Sequence, residues 1–240
     1  MGSFSGLIFA DRDGVFGTGC IARSIVRSKM AGTMVSTTNA QPMCETAGKI
    51  IEAAENLLIV SGFSGMSARA VAKAAKVNIA AMRYYFGSKQ GLFEAVVRQR
   101  IAPVNAERLA RLAVAETERP GSVDAVLDAF LLPVFAVQSE ENARLLMARV
   151  MAEPAEIAGP LLSNLFQEVI EAFVEALHEC RPEHSRDAIA RRLSFVVGAM
   201  SFSLLNAKPR RFKTALDDRS FYEELRAFCA GGFELAPKGP

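Results

Sequence analysis

The sequence predicts an all-α chain. Two observations carry that prediction. From Thr46 onward, apolar residues recur at three- and four-residue spacing almost throughout, and the breaks between those stretches hold Gly, Pro, Ser and Asn. No stretch alternates apolar and polar residues as a half-buried strand does.

The first 44 residues differ from the rest. They are rich in Gly, Ser and Thr and lack a sustained helical period, which predicts a mostly disordered extension. Gly17–Ala22 (GTGCIA) fits the G-x-G-x-x-[GA] dinucleotide fingerprint. That fingerprint requires a helix, a second strand and an acidic residue about 20 positions on. Here the helix would run into Ala31-Gly32-Thr33, and no second strand follows.

In the next segment, Ile50, Ala53, Ala54, Leu57 and Leu58 form one apolar stripe, and Gly62 ends the helix. Ser67 caps a second helix, ARAVAKAAK. A break at Lys76-Val77-Asn78 leads to a third, IAAMRYYF. Gly87-Ser88 breaks the chain again, and Ser88 caps a long helix that Pro103 is expected to bend or end. Longer helices follow over 123–138, 141–152, LFQEVIEAFVEALHEC, 186–206 and 217–229. The count is three short helices and about six longer ones, about nine in all.

Composition narrows the setting. Half the residues are apolar and 22% are charged, an ordinary globular balance. No apolar run reaches the ~18 residues of a membrane span, so no membrane partner is expected. The four cysteines form no CxxC pair, which predicts reduced thiols in a cytoplasm. Charge is uneven: residues 45–100 hold eight Lys/Arg against four acids, whereas 101–240 hold sixteen against twenty. A basic module before an acidic one points to a polyanion partner for the first.

Three helices within about forty residues, the last two joined by a tight turn, make the helix-turn-helix arrangement, whose second helix enters the major groove. Stepping 100° per residue, Met82, Phe86, Ile79, Asn78 and Tyr85 form the arc expected to pack inward. Ala80 and Tyr84 point the other way, with Ala81 and Arg83 on the flanks. Alanines let a helix backbone approach base edges. Arg83 can donate two hydrogen bonds to a guanine, and tyrosine hydroxyls reach phosphate oxygens. Lys89 lies in the first turn of the following helix, where the dipole disfavours a cation and a bound phosphate would relieve it. Ser67 and Arg69 offer another such helix start.

These residues resemble the DNA-binding domain of the TetR family of bacterial regulators. The family wording appears as Gly62-Phe63, the capping Ser67, Val71-Ala72, Val77, Tyr84-Tyr85-Phe86, Gly87 and Ser88-Lys89, over about residues 46–100. The resemblance implies a helix-turn-helix domain over 45–92 and a larger helical ligand-binding and dimerisation domain over 93–235. It implies that Arg69 and Ile79 to Arg83 face bases, while Ser67, Tyr84, Tyr85 and Lys89 contact phosphates, with Asn78 beside them. Lys76 stands where relatives usually carry Gly, Arg83 where Tyr is frequent and Ala70 where an acid is frequent, so base preference does not transfer from relatives.

For the second half, Phe93, Val97, Ile101, Phe130, Val134, Phe166 and Phe173 are candidate pocket residues, with Phe135, Leu146 and Phe195 beside them. Arg149, alone among apolar residues in LLMARVMAEP, could meet an acidic ligand head group or a nearby glutamate. In ARRLSFVVGAMSFSLLN, Phe195, Gly198, Ala199 and Phe202 mark a dimer face, with the preceding long helix completing a four-helix interface. The ligand expected is small and apolar or amphipathic.

Other chemistry lacks support. HECRPEH (His178 to His184) has no common zinc spacing, and GFSG lacks the nucleophile-elbow pattern. No catalytic residue, metal or cofactor is expected. The reading is a repressor that binds a palindromic DNA operator as a homodimer. The alternatives are a helical protein-interaction adaptor or a helical enzyme without DNA binding.

Overall fold

The computed structural model describes residues 40–136, 141–205 and 218–235, and these form nine helices with no strand among them. In chain order they are α1 (Ala40–Gly65), α2 (Ala68–Ala75), α3 (Ile79–Phe86), α4 (Lys89–Glu118) and α5 (Val123–Ala136). Then come α6 (Glu141–Met151), α7 (Ala155–Cys180), α8 (Arg186–Leu205) and α9 (Asp218–Glu234). Residues 1–39 of the expected extension, with the Gly17–Ala22 motif, lie outside the described residues. Among the described residues no helix is long and apolar enough to cross a membrane.

Three element boundaries depart from the sequence reading. The first helix begins at Ala40, six residues before Thr46, because Pro42 falls in its first turn, where no backbone donor is required. Pro103 neither ends α4 nor splits it, and the helix continues to Glu118. The last helix reaches Glu234 because Phe233 is fully buried, so packing carries the helix through Gly231-Gly232.

Two apolar clusters hold the fold. One joins α1–α3 and the first part of α4 to α6 and the start of α7, through Ile50, Leu58, Met82, Phe93 and Val150 among others. The other joins α5, α7, α8 and α9 through Leu127, Phe130, Phe173, Leu193 and Phe233. Helix α4 belongs to both: Phe93 to Ile101 lie in the first cluster and Leu112 in the second. At 1.5 Å per residue its 30 residues span about 45 Å.

Polar links tie the first three helices to the body. Gly62 breaks α1 with φ 68° and ψ −175°, a conformation open essentially to glycine alone. A Cβ there would lie 2.5 Å from Glu153 Oε1. That carboxylate accepts from the Phe63 N–H at 2.8 Å, and Arg149 Nη2 donates to the Val60 carbonyl at 3.2 Å. Arg149 does not line the cavity described below; its guanidinium is turned instead to the backbone just before the Gly62 break, at the Val60 carbonyl. Further along, buried Glu55 of α1 accepts from Arg100 of α4 at 3.1 and 2.8 Å.

Candidate nucleic-acid interface and internal cavity

Local hydrogen bonds set the positions of α2 and α3. Ser67 Oγ accepts from the Ala70 N–H at 3.2 Å and starts α2. The helix ends at Lys76, a left-handed residue (φ 55°, ψ 42°). The Val77 and Lys76 N–H groups return to the Ala72 and Lys73 carbonyls in a Schellman motif. Asn78 Oδ1 then accepts from the Ala80 N–H at 2.9 Å and starts α3. Two caps and one left-handed residue thus fix the angle between the helices.

Met82 is buried and anchors α3, while Tyr85 and Phe86 are half-buried. Asn78, Ala80, Arg83 and Tyr84 are exposed, as are Ser67 and Arg69 on α2, and Ala81 is half-exposed. The inward arc is narrower than the helical wheel implied. Ile79 is 37% exposed, because it opens an eight-residue helix ahead of the Met82 anchor. Asn78 is the cap, so its side chain turns back on the backbone instead of following the helical angle. Lys73 and Lys76 are also exposed. The tyrosine rings stack edge to face at 5.2 Å.

Helix α4 begins against α3. Ser88 Oγ accepts from the Gly91 N–H at 3.0 Å, and a Cβ at Gly91 would collide with the Phe86 carbonyl oxygen, so only glycine permits this approach. Lys89 is not left facing its own helix dipole. Its ammonium donates to the Ser64 carbonyl at 3.3 Å and sits 4.2 Å from the Phe63 ring centroid. A carbonyl and a ring face thus provide the compensation that the sequence reading assigned to a phosphate.

Behind these helices lies a cavity of about 400 Å³, walled by α4, α5, α6, α7 and α8. Of the sequence candidates, Ile101, Phe130, Val134 and Phe166 line it. Phe93 and Val97 do not; both are fully buried in the cluster beneath α1–α3. Phe173 is solid core, edge to face with Phe130 at 5.0 Å. Neither do Arg149 or Phe195 reach it. Phe195 is 72% exposed, on the outer side of α8, whose Leu193 and Val197 face the cavity.

The sequence reading missed Asn105 and Arg108. Arg108 is 2% exposed and lines the cavity. Its Nε donates to the Phe130 carbonyl at 2.9 Å, its Nη1 to Asn105 Oδ1 at 3.1 Å, and its Nη2 lies 3.6 Å from Met200 Sδ. The guanidinium carbon lies 4.1 Å from the Phe130 ring centroid. Burial pushes this guanidinium down to about 10, which leaves it charged at neutral pH. Asn105 is held in turn by the Leu165 carbonyl at 2.7 Å. A signal was present: residues 101, 105, 108 and 112 share one stripe of α4, so two polar residues sit where the period calls for apolar ones.

Several large apolar side chains of α8 and of the α9 region face solvent. Phe195, Phe202, Phe228 and Leu235 are exposed, with Gly198 open beside them and Ala199 half-exposed. The exposed residues of α7 are almost all polar, among them Ser163, Asn164, Gln167, Glu168 and Glu171. Large exposed apolar residues outside α8 are thus found on α9, at Phe221 and Phe228, rather than on α7.

Known proteins match both halves. A family model described as "Bacterial regulatory proteins, tetR family" matches residues 50–96, and one described as "Tetracyclin repressor-like, C-terminal domain" matches 128–232. Together they take in more than half of the chain, which belongs to the tetR family of bacterial regulatory proteins. Over 54 residues it is 50% identical to the "Probable HTH-type transcriptional regulator YttP" of Bacillus subtilis, a match spanning 22% of this chain and 26% of that relative. The fold is similar to that of the fatty acid degradation regulator FadR from Bacillus halodurans (14% identity, TM-score 0.61, 78% of this chain and 95% of that one). It is also similar to NalD, the secondary repressor of the MexAB-OprM multidrug efflux pump in Pseudomonas aeruginosa (24%, TM-score 0.60, 78% and 96%). A third similar structure is the multidrug binding protein EbrR complexed with malachite green (17%, TM-score 0.58, 80% and 98%).

Proposed function

We propose that this chain is a ligand-responsive repressor that binds a palindromic DNA operator as a dimer. The carrying observation is the outward face of α3: Ala80, Arg83 and Tyr84 exposed over a buried Met82, with Ser67 and Arg69 beside them at the start of α2. Ala80 and Ala81 allow the helix close to base edges, and Ile79 adds an apolar contact suited to a thymine methyl. Arg83 and Arg69 read bases or hold phosphates. Ser67, Tyr84, Tyr85 and Asn78 reach phosphate oxygens, and Lys89 exchanges its Ser64 carbonyl for one.

The apolar face of α8 and α9, centred on Phe195, Gly198, Ala199 and Phe202, pairs two copies and sets the distance between half-sites. The cavity takes a small apolar or amphipathic molecule. EbrR, a relative in fold, holds malachite green. One helix, α4, starts against α3 and continues into the cavity wall at Ile101 and Arg108. A ligand that shifts α4 therefore shifts both reading helices relative to the DNA.

The test is a gel shift on DNA just upstream of the gene, with Arg83→Ala plus Tyr84→Ala as the variant and sedimentation to confirm the dimer. Loss of operator binding with the dimer intact is expected. Unchanged binding would overturn the site.

A further inference from the structure

We infer that the cavity is built for a small organic carboxylate with an apolar body, and that Arg108 receives the carboxylate. This deepens the ligand-responsive reading above and rests on it.

Arg108 is buried, and no carboxylate of the described residues lies within salt-bridge distance of it. Of the charged residues lining the cavity, Arg100 and Arg108 are both cationic, and none is acidic. Arg100 is occupied by Glu55, whereas Arg108 is held by a carbonyl, an amide and a thioether, all neutral. A buried cation without a counter-charge is costly; neutral hydrogen-bond partners offset part of that cost, and an anion would offset more.

The plainer role for Arg108 is to staple α4 to α5. Pro133 lies inside α5 one turn beyond Phe130, whose carbonyl receives the Nε hydrogen. That task requires a donor and not a charge, and it uses one of the five N–H groups of the side chain. The opposite edge is spent on Met200 Sδ at 3.6 Å, a weak acceptor. Both Nη groups thus offer hydrogens, and exchanging sulfur for a carboxylate oxygen produces the charge-assisted pair that arginine makes best.

The surroundings fit the rest of such a molecule. Phe130 and Phe166 lie 4.1 and 5.9 Å from the guanidinium carbon, and Val134, Met147, Leu162 and Val197 continue the wall. A cavity of about 400 Å³ lies within the range of small-molecule sites. Asn105, fixed by the Leu165 carbonyl, holds the guanidinium orientation before the ligand arrives.

The experiment uses the full chain and three ten-carbon probes of one tail: sodium decanoate, decan-1-ol and decyltrimethylammonium, each titrated by calorimetry at pH 7.5. Decanoate is expected to bind one per chain and at least tenfold tighter than decanol, and the cation to bind no better than decanol. Arg108→Gln should erase that preference, Arg108→Lys should keep part of it, and Arg149→Gln, outside the cavity, should keep all of it. Equal affinities for acid and alcohol, preference for the cation, or binding of neither overturns the assignment using the wild-type chain alone. So does a decanoate preference that survives Arg108→Gln. An operator gel shift on the same samples separates the two readings. Operator binding without carboxylate preference sinks only this inference. Carboxylate preference without operator binding sinks the regulator reading and leaves the cavity assignment standing.

Discussion

Arg83 on α3 and Arg108 on α4 carry the same guanidinium in opposite surroundings. Arg83 is exposed at the end of an eight-residue helix, where water and salt already satisfy it. Arg108 is 2% exposed, with neutral partners only. An exposed charge contributes little by itself and acts through number, as one of a group facing a polyanion. A buried charge acts singly, because a single counter-charge there meets little screening. The proposed function thus separates a many-contact, salt-sensitive surface from a one-contact, salt-tolerant interior, and α4 runs from one region into the other.

The largest expected effect sets these two regions directly against each other. If each dimer makes about six to ten phosphate contacts, raising salt from 50 to 200 mM lowers operator affinity by roughly 10³- to 10⁵-fold. Decanoate affinity over the same range should change by less than about threefold, since a buried pair is screened far less. Fluorescence anisotropy for DNA and calorimetry for decanoate measure both slopes. Parallel slopes would break the distinction.

Next in size is the double variant Arg83→Ala with Tyr84→Ala. A good base contact is worth about 1–3 kcal/mol, so losing one per half-site costs at least about 2 kcal/mol and should weaken operator binding roughly thirtyfold or more. Decanoate binding should be unaffected. A gel shift and a calorimetric titration on one preparation check both halves of that statement.

Gly62→Ala tests the joint between the regions. The residue sits at φ 68°, ψ −175°, and a Cβ would meet Glu153 Oε1 at 2.5 Å. Backbone strain alone is about 1–3 kcal/mol, and displacing Glu153 also frees the Phe63 N–H. A stability loss of about 2–3 kcal/mol is expected by urea unfolding. A loss under about 0.5 kcal/mol would mean that the joint is soft and transmits little.

The two regions also differ in how much the sequence disclosed. Turns and caps around α2 and α3 are local, so Ser67, Asn78, Ser88 and Gly62 announce themselves by residue type and spacing. Helix count and order were legible for the same reason. The cavity is assembled from five helices, and nothing local distinguishes Phe130, which lines it, from Phe173, which packs solidly beside it. Arg149 stands alone among apolar neighbours in sequence, yet its partner is the Val60 carbonyl, 89 positions away in the chain. Arg108 follows Glu107 and precedes Arg111 by three, so it reads as one of a run of surface charges, which hid a position that the 101–105–108–112 stripe marks as inward.

The smallest effect, Lys76→Gly, draws the line within the DNA-facing region itself. Lys76 is left-handed at φ 55° and closes α2 through the Ala72 and Lys73 carbonyls. A side chain in that conformation costs about 1 kcal/mol, and glycine removes the strain while adding some freedom to the unfolded chain. The net gain should be about 0.5 kcal/mol, seen as a small rise in urea midpoint with unchanged slope. Lys76 is also exposed beside the reading helix. If its ammonium lies near a phosphate, the same change lowers the salt slope of operator binding by about one unit. Stability and affinity would then move in opposite directions, which shows that the lysine is kept for its charge against a backbone preference for glycine. A gain in stability with an unchanged slope would place Lys76 outside the DNA footprint and end the basic surface at Arg69 and Arg83.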